Sequence, residues 1–409
     1  MGRPTVSVVI PTKGRTSLLL WNLQELKRQS LRSDMFEVVV VSDGDDLSDE
    51  VQKKLDQDRY PYSLSVYIKD QKGPASARNF GVAKSVGDII LFVGDDCVPD
   101  RNLLWRHFYA RHRLEYKLCA VQGYTLWHPE IPPDDFMNFL VEESGIQANW
   151  RSLKTDDGKW KDQATSWFMT TNCSINKSVF ESEGGFSEDF PNAAWEDVEL
   201  GFRFAQHGLI TLFSPDAINY HYHRITLDSY IKRQIMEGES RLVFCSLHPE
   251  IAGSLLDPNG LRKTSPEIFQ EAIRLAKETH YITSQDLQDT RKVRWANALR
   301  YSSLEGIRRG IEKRGGIWKA IPHVHTEELA RNVAGAASGL ERGNPLFAKM
   351  EAEWALKLQT DNWALYCVLG EVELALGQKN EALLSFTKAL ELGPTEKWPM
   401  NRVKELRGE

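Results

Sequence analysis

Read for the spacing of hydrophobic and polar positions, the first hundred residues alternate between two kinds of segment. Four short, β-branched runs, VSVVIPT (6–12), FEVVVVSD (36–43), LSVYIKD (64–70) and DIILFVGDD (88–96), each end on polar residues. Between them lie helix-like stretches at 16–30, 47–57 and 75–85. This alternation predicts a mostly parallel sheet with helices on its faces. Ligands of such sheets bind at the carboxyl ends of the strands. The polar residues placed there are Thr12, Lys13 and Arg15, then Asp43, then Asp70 to Lys72, and finally Asp95 and Asp96.

From about 118 to 222 the pattern becomes mixed. CAVQGYTLW, TNCSINKSVF and LITLFSPDAINYHYH read as strands, a helix is expected over about Glu196 to Gln206, and a long amphipathic helix over about 226–246. Beyond that point the β signal disappears. The last third is helical and repeats at a spacing of 34, pairing Leu340 with Leu374, Gly343 with Gly377, Ala348 with Ala382, Ala355 with Ala389 and Leu358 with Leu392. That period is the one of tetratricopeptide helix-turn-helix units. The second copy carries the pattern best, through Gly370, Ala382, Phe386, Ala389 and Pro394, with Glu373 where an aromatic is usual. In the first copy Ala336 and Ala352 stand at the glycine and phenylalanine positions. The expected organisation is an α/β domain over 1–246, a helical linker region over 247–325 with one helix at about 290–313, and all-α tetratricopeptide-like repeats over 326–409.

Composition fits that division. A chain of 409 residues with 41% apolar and 26% charged residues suits two or three folded domains. The net charge of −6 gives no basic footprint, so nucleic acid is not the expected partner. Five scattered cysteines form no CxxC pair and read as reduced thiols. No apolar run approaches the roughly 20 residues of a membrane span, and the N-terminus lacks the pattern of a signal peptide. The expected location is cytoplasmic, with peripheral attachment at the inner face of the membrane as an allowed variant.

Three constellations carry chemistry. Adjacent Asp95 and Asp96 at the end of a buried strand repel one another, and a divalent cation such as Mg²⁺ or Mn²⁺ offsets that repulsion while bridging to phosphates. A solvated acidic turn is the competing reading. WEDVELGFRF (195–204) places Glu196, Asp197 and Glu199 in the first turn of a helix, where capping alone favours acids. Three acids behind an aromatic exceed what capping needs, and one could serve as general base for a hydroxyl. NYHYHR (219–224) puts His221 and His223 on one face of a strand, where one imidazole could complete a metal site; a buried, hydrogen-bonded histidine is the alternative.

In order and spacing, VSVVIPTKGR, VVVVSDGDD, GPASARNFGVAKSVGDIILFVGDD, GGFSEDF, WEDVELGFRF and HYHR resemble the successive motifs of family 2 glycosyltransferases of the GT-A fold, over roughly residues 4–245. The resemblance implies inverting transfer of a sugar from a nucleotide-diphospho-sugar, usually a UDP-sugar, to a hydroxyl acceptor with Mn²⁺ or Mg²⁺. It implies that Pro11, Thr12 and Arg15 lie along the nucleotide, that Asp43 contacts the base, that Arg78 faces the nucleotide or its phosphates, and that Asp95 makes a further nucleotide contact. It places the metal on Asp96 with His221, and His223 as second choice. Asp197 would be the catalytic base beside Glu196, and Trp195 and Asn172 would shape the sugar or acceptor pocket. The acceptor is open between a saccharide, a lipid-linked saccharide and a protein or peptide. One departure stands out: the family often has aspartate where this chain has Gly94.

Two rival readings remain. VVVVSDGD and ILFVGDDCVPD also resemble the end motifs of haloacid-dehalogenase-type, Mg²⁺-dependent phosphatases, but about 50 residues between them are too few for the intervening motifs. A catalytically degenerate transferase acting as a tetratricopeptide scaffold is the other. In either transferase reading the C-terminal repeats would serve as a homodimer or protein-partner surface.

Overall fold

The computed structural model describes residues 3–44, 47, 49–113, 119–144, 153–155, 157, 159–160, 164–165, 168–248, 255, 265–280, 288–313, 340, 345–358 and 360–408. The chain divides into two units, one of residues 1–244 with 264–307, the other of 245–263 with 308–409.

The first unit is built on one sheet. Its strands are β1 (Val6–Thr12), β2 (Phe36–Asp43), β3 (Ser63–Lys69), β4 (Ile89–Val93), β5 (Cys97–Pro99), β6 (Cys119–Trp127), β7 (Ala164–Thr165), β8 (Asn172–Asn176) and β9 (Ile210–His221). The order is β3-β2-β1-β4-β8-β6-β9-β5, with β7 pairing β9 off this path. β3, β2, β1 and β4 run parallel, as expected, while β8 enters antiparallel to β4. The crossovers are α1 (Thr16–Leu26), α2 (Asp49–Gln57) and α3 (Pro74–Lys84), followed by α4 (Leu103–Arg113).

Both faces of the central strands are covered, which is why their sequences run apolar without alternation. Val6, Val8, Ile10, Val38, Val40, Leu91 and Val93 pack with Leu19, Leu23 and Leu26 of α1 and Leu103 and Leu104 of α4. Val9, Ile90 and Phe92 face the other way, onto Ala75 and Val82 of α3 and the aromatic group of Phe168, Phe180 and Phe186. α1 stops four residues before the expected position 30, because the Ser30 amide donates to the Arg101 carbonyl at 2.8 Å instead of continuing the helix. The expected strand TNCSINKSVF is likewise shorter: α6 (Lys177–Ser182) starts straight after β8, which lets Val179 and Phe180 turn back onto that core.

After a short α5 (Asp135–Asn138), the remaining helices of this unit are α7 (Glu196–Gln206), α8 (Leu227–Leu247), α9 (Pro266–His280) and α10 (Gln288–Lys313), the last continuing past residue 307. α9 and α10 occupy part of the stretch expected as a linker. Ala276, Trp295, Ala298 and Leu299 share a core with Phe136, Met137, Tyr230 and Ile231. No described helix is long and apolar enough to cross a membrane.

The second unit contains α11 (Pro345–Leu358), α12 (Trp363–Ala375), α13 (Lys379–Leu392) and α14 (Lys397–Arg407). Gly370 of α12 faces the Phe386 ring of α13 so closely that a Cβ there would lie 2.7 Å from it, and Ala382, Phe386 and Ala389 are fully buried. Ala336 and Gly343 of the expected first repeat lie outside the described residues.

α8 and α10 cross through a pair of glycines. A Cβ on Gly238 would stand 2.0 Å from the Ser303 carbonyl oxygen, and one on Gly306 would stand 2.0 Å from that of Ile235. Both neighbours are backbone, which cannot rotate away. A helix-interior glycine exchanged for alanine ordinarily gains about 0.5–1 kcal/mol. Here the sign reverses: Gly238→Ala should lower the unfolding free energy by about 3 kcal/mol, read from urea denaturation, and an unchanged midpoint would refute the close approach.

Candidate active site

The polar ends of β1 and β4 meet across one side-chain network. Asp95 is 1% exposed and Asp96 8%, so their charges require partners within the protein. Thr12 donates its hydroxyl to Asp95 Oδ2 at 2.8 Å. Arg15, just ahead of α1, places Nη2 2.7 Å from Asp95 Oδ1 and donates Nη1 to Asp96 Oδ2. His221, the last residue of β9, holds Nε2 3.2 Å from the same Asp96 oxygen. It arrives there because β5 pairs antiparallel with β9, setting Cys97 opposite His221.

The two neighbouring carboxyls are driven apart electrostatically. Burial pushes Asp95 above its ordinary pKa, and the adjacent Asp96 adds to the rise against the pull of Arg15. Burial opposes ionisation of Asp96 too, but the hydrogen bond and charge of His221, with Arg15, hold its carboxyl well below the usual range. Gly94 belongs to this arrangement: a Cβ there would sit 2.9 Å from Asp96 Oδ1 and 3.1 Å from Cys97 Sγ. An aspartate at position 94 would therefore press on Asp96 where it stands.

Asp96 and His221 suit a divalent ion. Two adjacent ligands of an octahedral ion bound at about 2.1 Å lie roughly 3 Å apart, close to the 3.2 Å between Asp96 Oδ2 and His221 Nε2. A carboxylate oxygen with an imidazole nitrogen is a donor set that Mn²⁺ or Mg²⁺ accepts. Among the described residues no group of three or more His, Cys, Asp and Glu could hold a metal, so phosphate and water oxygens would have to complete its shell. His223 is exposed and stacks on His221 with ring centroids 5.6 Å apart; Trp127 flanks His221 at 5.5 Å. Although its side chain reaches solvent, partial desolvation by its neighbours lowers the His223 pKa, and the nearby His221 lowers it further.

A second acid pair lies at the start of α7. β8 runs antiparallel to β4 with Asn172 opposite Val93, so the residues just before β8 stand beside the residues just after β4. Asp197 accepts a backbone hydrogen bond from Thr170 in that segment. Asp96 and Asp197 are thus brought to one edge of the sheet from opposite strand directions. Burial raises the Asp197 pKa against the pull of Arg78 and of Arg233 from α8. Glu196, 3% exposed, is pushed up to about 7 by burial and by Asp197.

Arg78, expected to face the nucleotide or its phosphates, donates Nη1 to Glu196 Oε1 at 2.8 Å, and both side chains are buried. Its guanidinium lies 5.7 Å from the Phe186 ring. Asn172, expected to shape the sugar or acceptor pocket, is fully buried. Its amide donates to the carbonyls of Ala217 at 2.8 Å and Tyr124 at 3.2 Å, and its oxygen faces His107 Nε2 at 2.8 Å. Asp43 spends both oxygens on the backbone amides of Lys72 and Gly73, at 2.8 and 2.9 Å, shaping the turn into α3. Pro11 lies within β1, next to Thr12.

Several residues at this edge were not anticipated. Asn22 donates to the carbonyls of Gly94 and Cys97, at 3.0 and 2.7 Å, and so fixes the turn that carries Asp95 and Asp96. Its signal was present: a polar residue inside the apolar stripe of Leu19, Leu23 and Leu26. Arg233 and Glu237, 3.6 Å apart on α8, bring further charge toward Asp197.

Arg78→Met should reveal the Arg78–Glu196 pairing. Removing one partner of a buried ion pair costs about 3 kcal/mol or more. Because Glu196 binds its proton more tightly in the folded protein than unfolded, protonation relieves the orphaned carboxylate. The destabilisation of Arg78→Met, measured by urea denaturation, should shrink from pH 8 to pH 5, and adding Glu196→Gln should recover part of it; independent, additive losses would refute the pairing.

Residues 7–182 match the family described as Glycosyl transferase family 2. The chain is 32% identical over 295 residues to glycosyltransferase AglE of Haloferax volcanii, covering 70% of this chain and 86% of that protein. It is 30% identical over 226 residues to validoxylamine A glucosyltransferase of Streptomyces hygroscopicus, covering 50% of this chain and 52% of that one. The chain thus spans about half the length of this glucosyltransferase. Among solved structures, mannosyltransferase PcManGT from Pyrobaculum calidifontis, in complex with GDP-Man and Mn²⁺, aligns with a TM-score of 0.44 at 18% identity, covering 88% of this chain and 86% of that one.

Proposed function

Since this chain belongs to glycosyl transferase family 2, we propose that it moves a sugar from a nucleotide-diphospho-sugar, with a UDP-sugar as first candidate, to an acceptor hydroxyl with inversion at the anomeric carbon. The observation that supports this reading is the antiparallel step from β4 to β8, in which Asn172 pairs with Val93, so that the segment carrying Thr170, the backbone partner of Asp197, precedes β8 at the edge where Asp95 and Asp96 follow β4. A diphosphate needs positive charge and a hydroxyl needs a base, and this reading assigns the first to Arg15 and the second to Asp197.

In this mechanism Asp197, ionised, takes the proton of the acceptor hydroxyl as that oxygen attacks the anomeric carbon from the face opposite the diphosphate. The new C–O bond forms as the bond to the diphosphate oxygen breaks, and the electron pair leaves with the nucleotide. Arg15 directs its guanidinium to the phosphate side. Asp96 and His221 would hold the divalent ion, which when bound supplies further positive charge for the leaving diphosphate. Arg78 keeps Glu196 compensated, so that the carboxylate next to the base does not add uncompensated repulsion. Asp95, clasped by Thr12 and Arg15, fixes the guanidinium. The C-terminal helices, with Gly370 against Phe386, we assign to tetratricopeptide-like repeats that offer a surface for a protein partner or a second copy.

A thermal-shift panel of UDP- and GDP-sugars with and without Mn²⁺ identifies the donor, because a ligand that binds the folded state raises its stability. Asp96→Ala should abolish the metal-dependent part of that shift. Asp197→Asn should keep the shift while lowering turnover of the identified donor by about 10²–10⁴-fold; equal turnover in both proteins would remove Asp197 from the role of base.

The pH dependence follows from the raised carboxyls. A base must be ionised to act, so kcat/KM should fall as pH drops, and because burial raises the Asp197 carboxyl the fall should lie above the range of an exposed carboxylate. A single acidic limb near pH 4 would contradict this.

A further inference from the structure

Trp195 is the one non-glycine residue with positive φ among the described residues, at φ 72° and ψ −13°. This left-handed conformation is disfavoured for any side chain with a Cβ, and more so for a bulky one. Such residues persist only where their surroundings hold them. Trp195 stands directly before Glu196 and Asp197, and its carbonyl accepts the Glu199 amide at 2.8 Å, opening α7. Its torsions therefore set the direction in which the first turn of α7, and with it the Asp197 carboxyl, is launched.

What holds Trp195 comes from α8. The Arg241 guanidinium lies over the indole at 5.1 Å from the ring, within cation–π range. The Phe244 ring meets the indole edge-on at 5.3 Å and also touches Phe202 of α7 at 5.6 Å. Asn192, three residues before Trp195, donates to the Met236 carbonyl at 3.4 Å. α8 is itself seated by the glycine crossing with α10. These residues all lie beyond the stretch 7–182 that matches the family.

We propose that Arg241 is a positioning residue of the transferase site: its contact with the indole holds Trp195 in the left-handed conformation and so aims Asp197 at the acceptor. The proposal rests on the reading of Asp197 as base for its catalytic consequence. The backbone consequence stands apart from that reading.

The test uses the full chain and two readouts. Amide hydrogen exchange over residues 196–199 should quicken about tenfold in Arg241→Met, with β1 and β4 unchanged, and return to wild type in Arg241→Lys, which restores a cation over the ring. Glycine adopts positive φ without strain, so in a Trp195→Gly background Arg241→Met should add nothing. In turnover of the donor identified by the thermal-shift panel, Arg241→Met should lower kcat about tenfold with KM unchanged, again rescued by lysine. If Arg241→Met does not fold, Arg241→Gln replaces it with the same expectations. Wild-type exchange in the uncharged variant, or an equal increment in the Trp195→Gly background, would overturn the proposal. A fully active Asp197→Asn would instead remove the catalytic reading and leave the exchange result to stand or fall by itself.

Discussion

Buried negative charge is the constraint from which the rest of this molecule can be understood. Asp95, Asp96 and Glu196 are buried and Asp197 half-buried at one edge of a sheet whose core is largely valine, isoleucine, leucine and phenylalanine. Each must find positive charge or hydrogen-bond donors within the fold, because the low-dielectric surroundings penalise an ionised group left alone. Arg15 and His221 answer the first pair, Arg78 and Arg233 the second. The compensation is uneven: Asp96 is held ionised, whereas Asp95, Glu196 and Asp197 are pushed upward. A site with one firmly charged carboxylate and one poised to accept a proton is suited to hold a cation and to remove a proton at the same time.

Topology brings these groups together. A purely parallel sheet would have carried the strand after β4 in the same direction, with its polar residues arriving by crossover helices alone. The reversal at β8 lets the start of one strand lie beside the end of another, and the β5–β9 pairing adds His221 from a third direction. Three widely separated stretches of chain thereby share one edge. Their supports are equally distant in sequence: Asn22 in α1 ties the turn at Gly94, and α8 braces Trp195.

Local pattern made much of this legible. The four parallel strands carry apolar runs ending in polar residues, and the acids of α7 sit in its first turn where sequence spacing placed them. Pairing was not legible. Nothing in ARN says that Arg78 reaches Glu196 across 118 positions, and nothing in TNCSIN says that Asn172 points inward to His107 and the backbone. Both residues are polar types that occur in ligand sites, and both are used here to satisfy buried polar groups. The left-handed Trp195 was illegible for a related reason: an aromatic residue gives no local signal for positive φ, and only packing from α8 can impose it.

The same reasoning bears on where the catalytic unit ends. A strand-and-motif reading closes the domain near residue 246, where the β signal fades. The core, however, continues through α9 and α10, whose Trp295, Ala298 and Leu299 pack with Phe136 and Tyr230, and whose Gly306 admits the backbone of α8. That crossing, together with Tyr230 and Ile231 against Trp295, seats α8, which carries the Arg241 and Phe244 that contact Trp195. The acids at the start of α7 are thus held by helices that carry no recognisable motif of their own, and the requirement for those helices is geometric, since only glycine at both positions lets the two backbones meet.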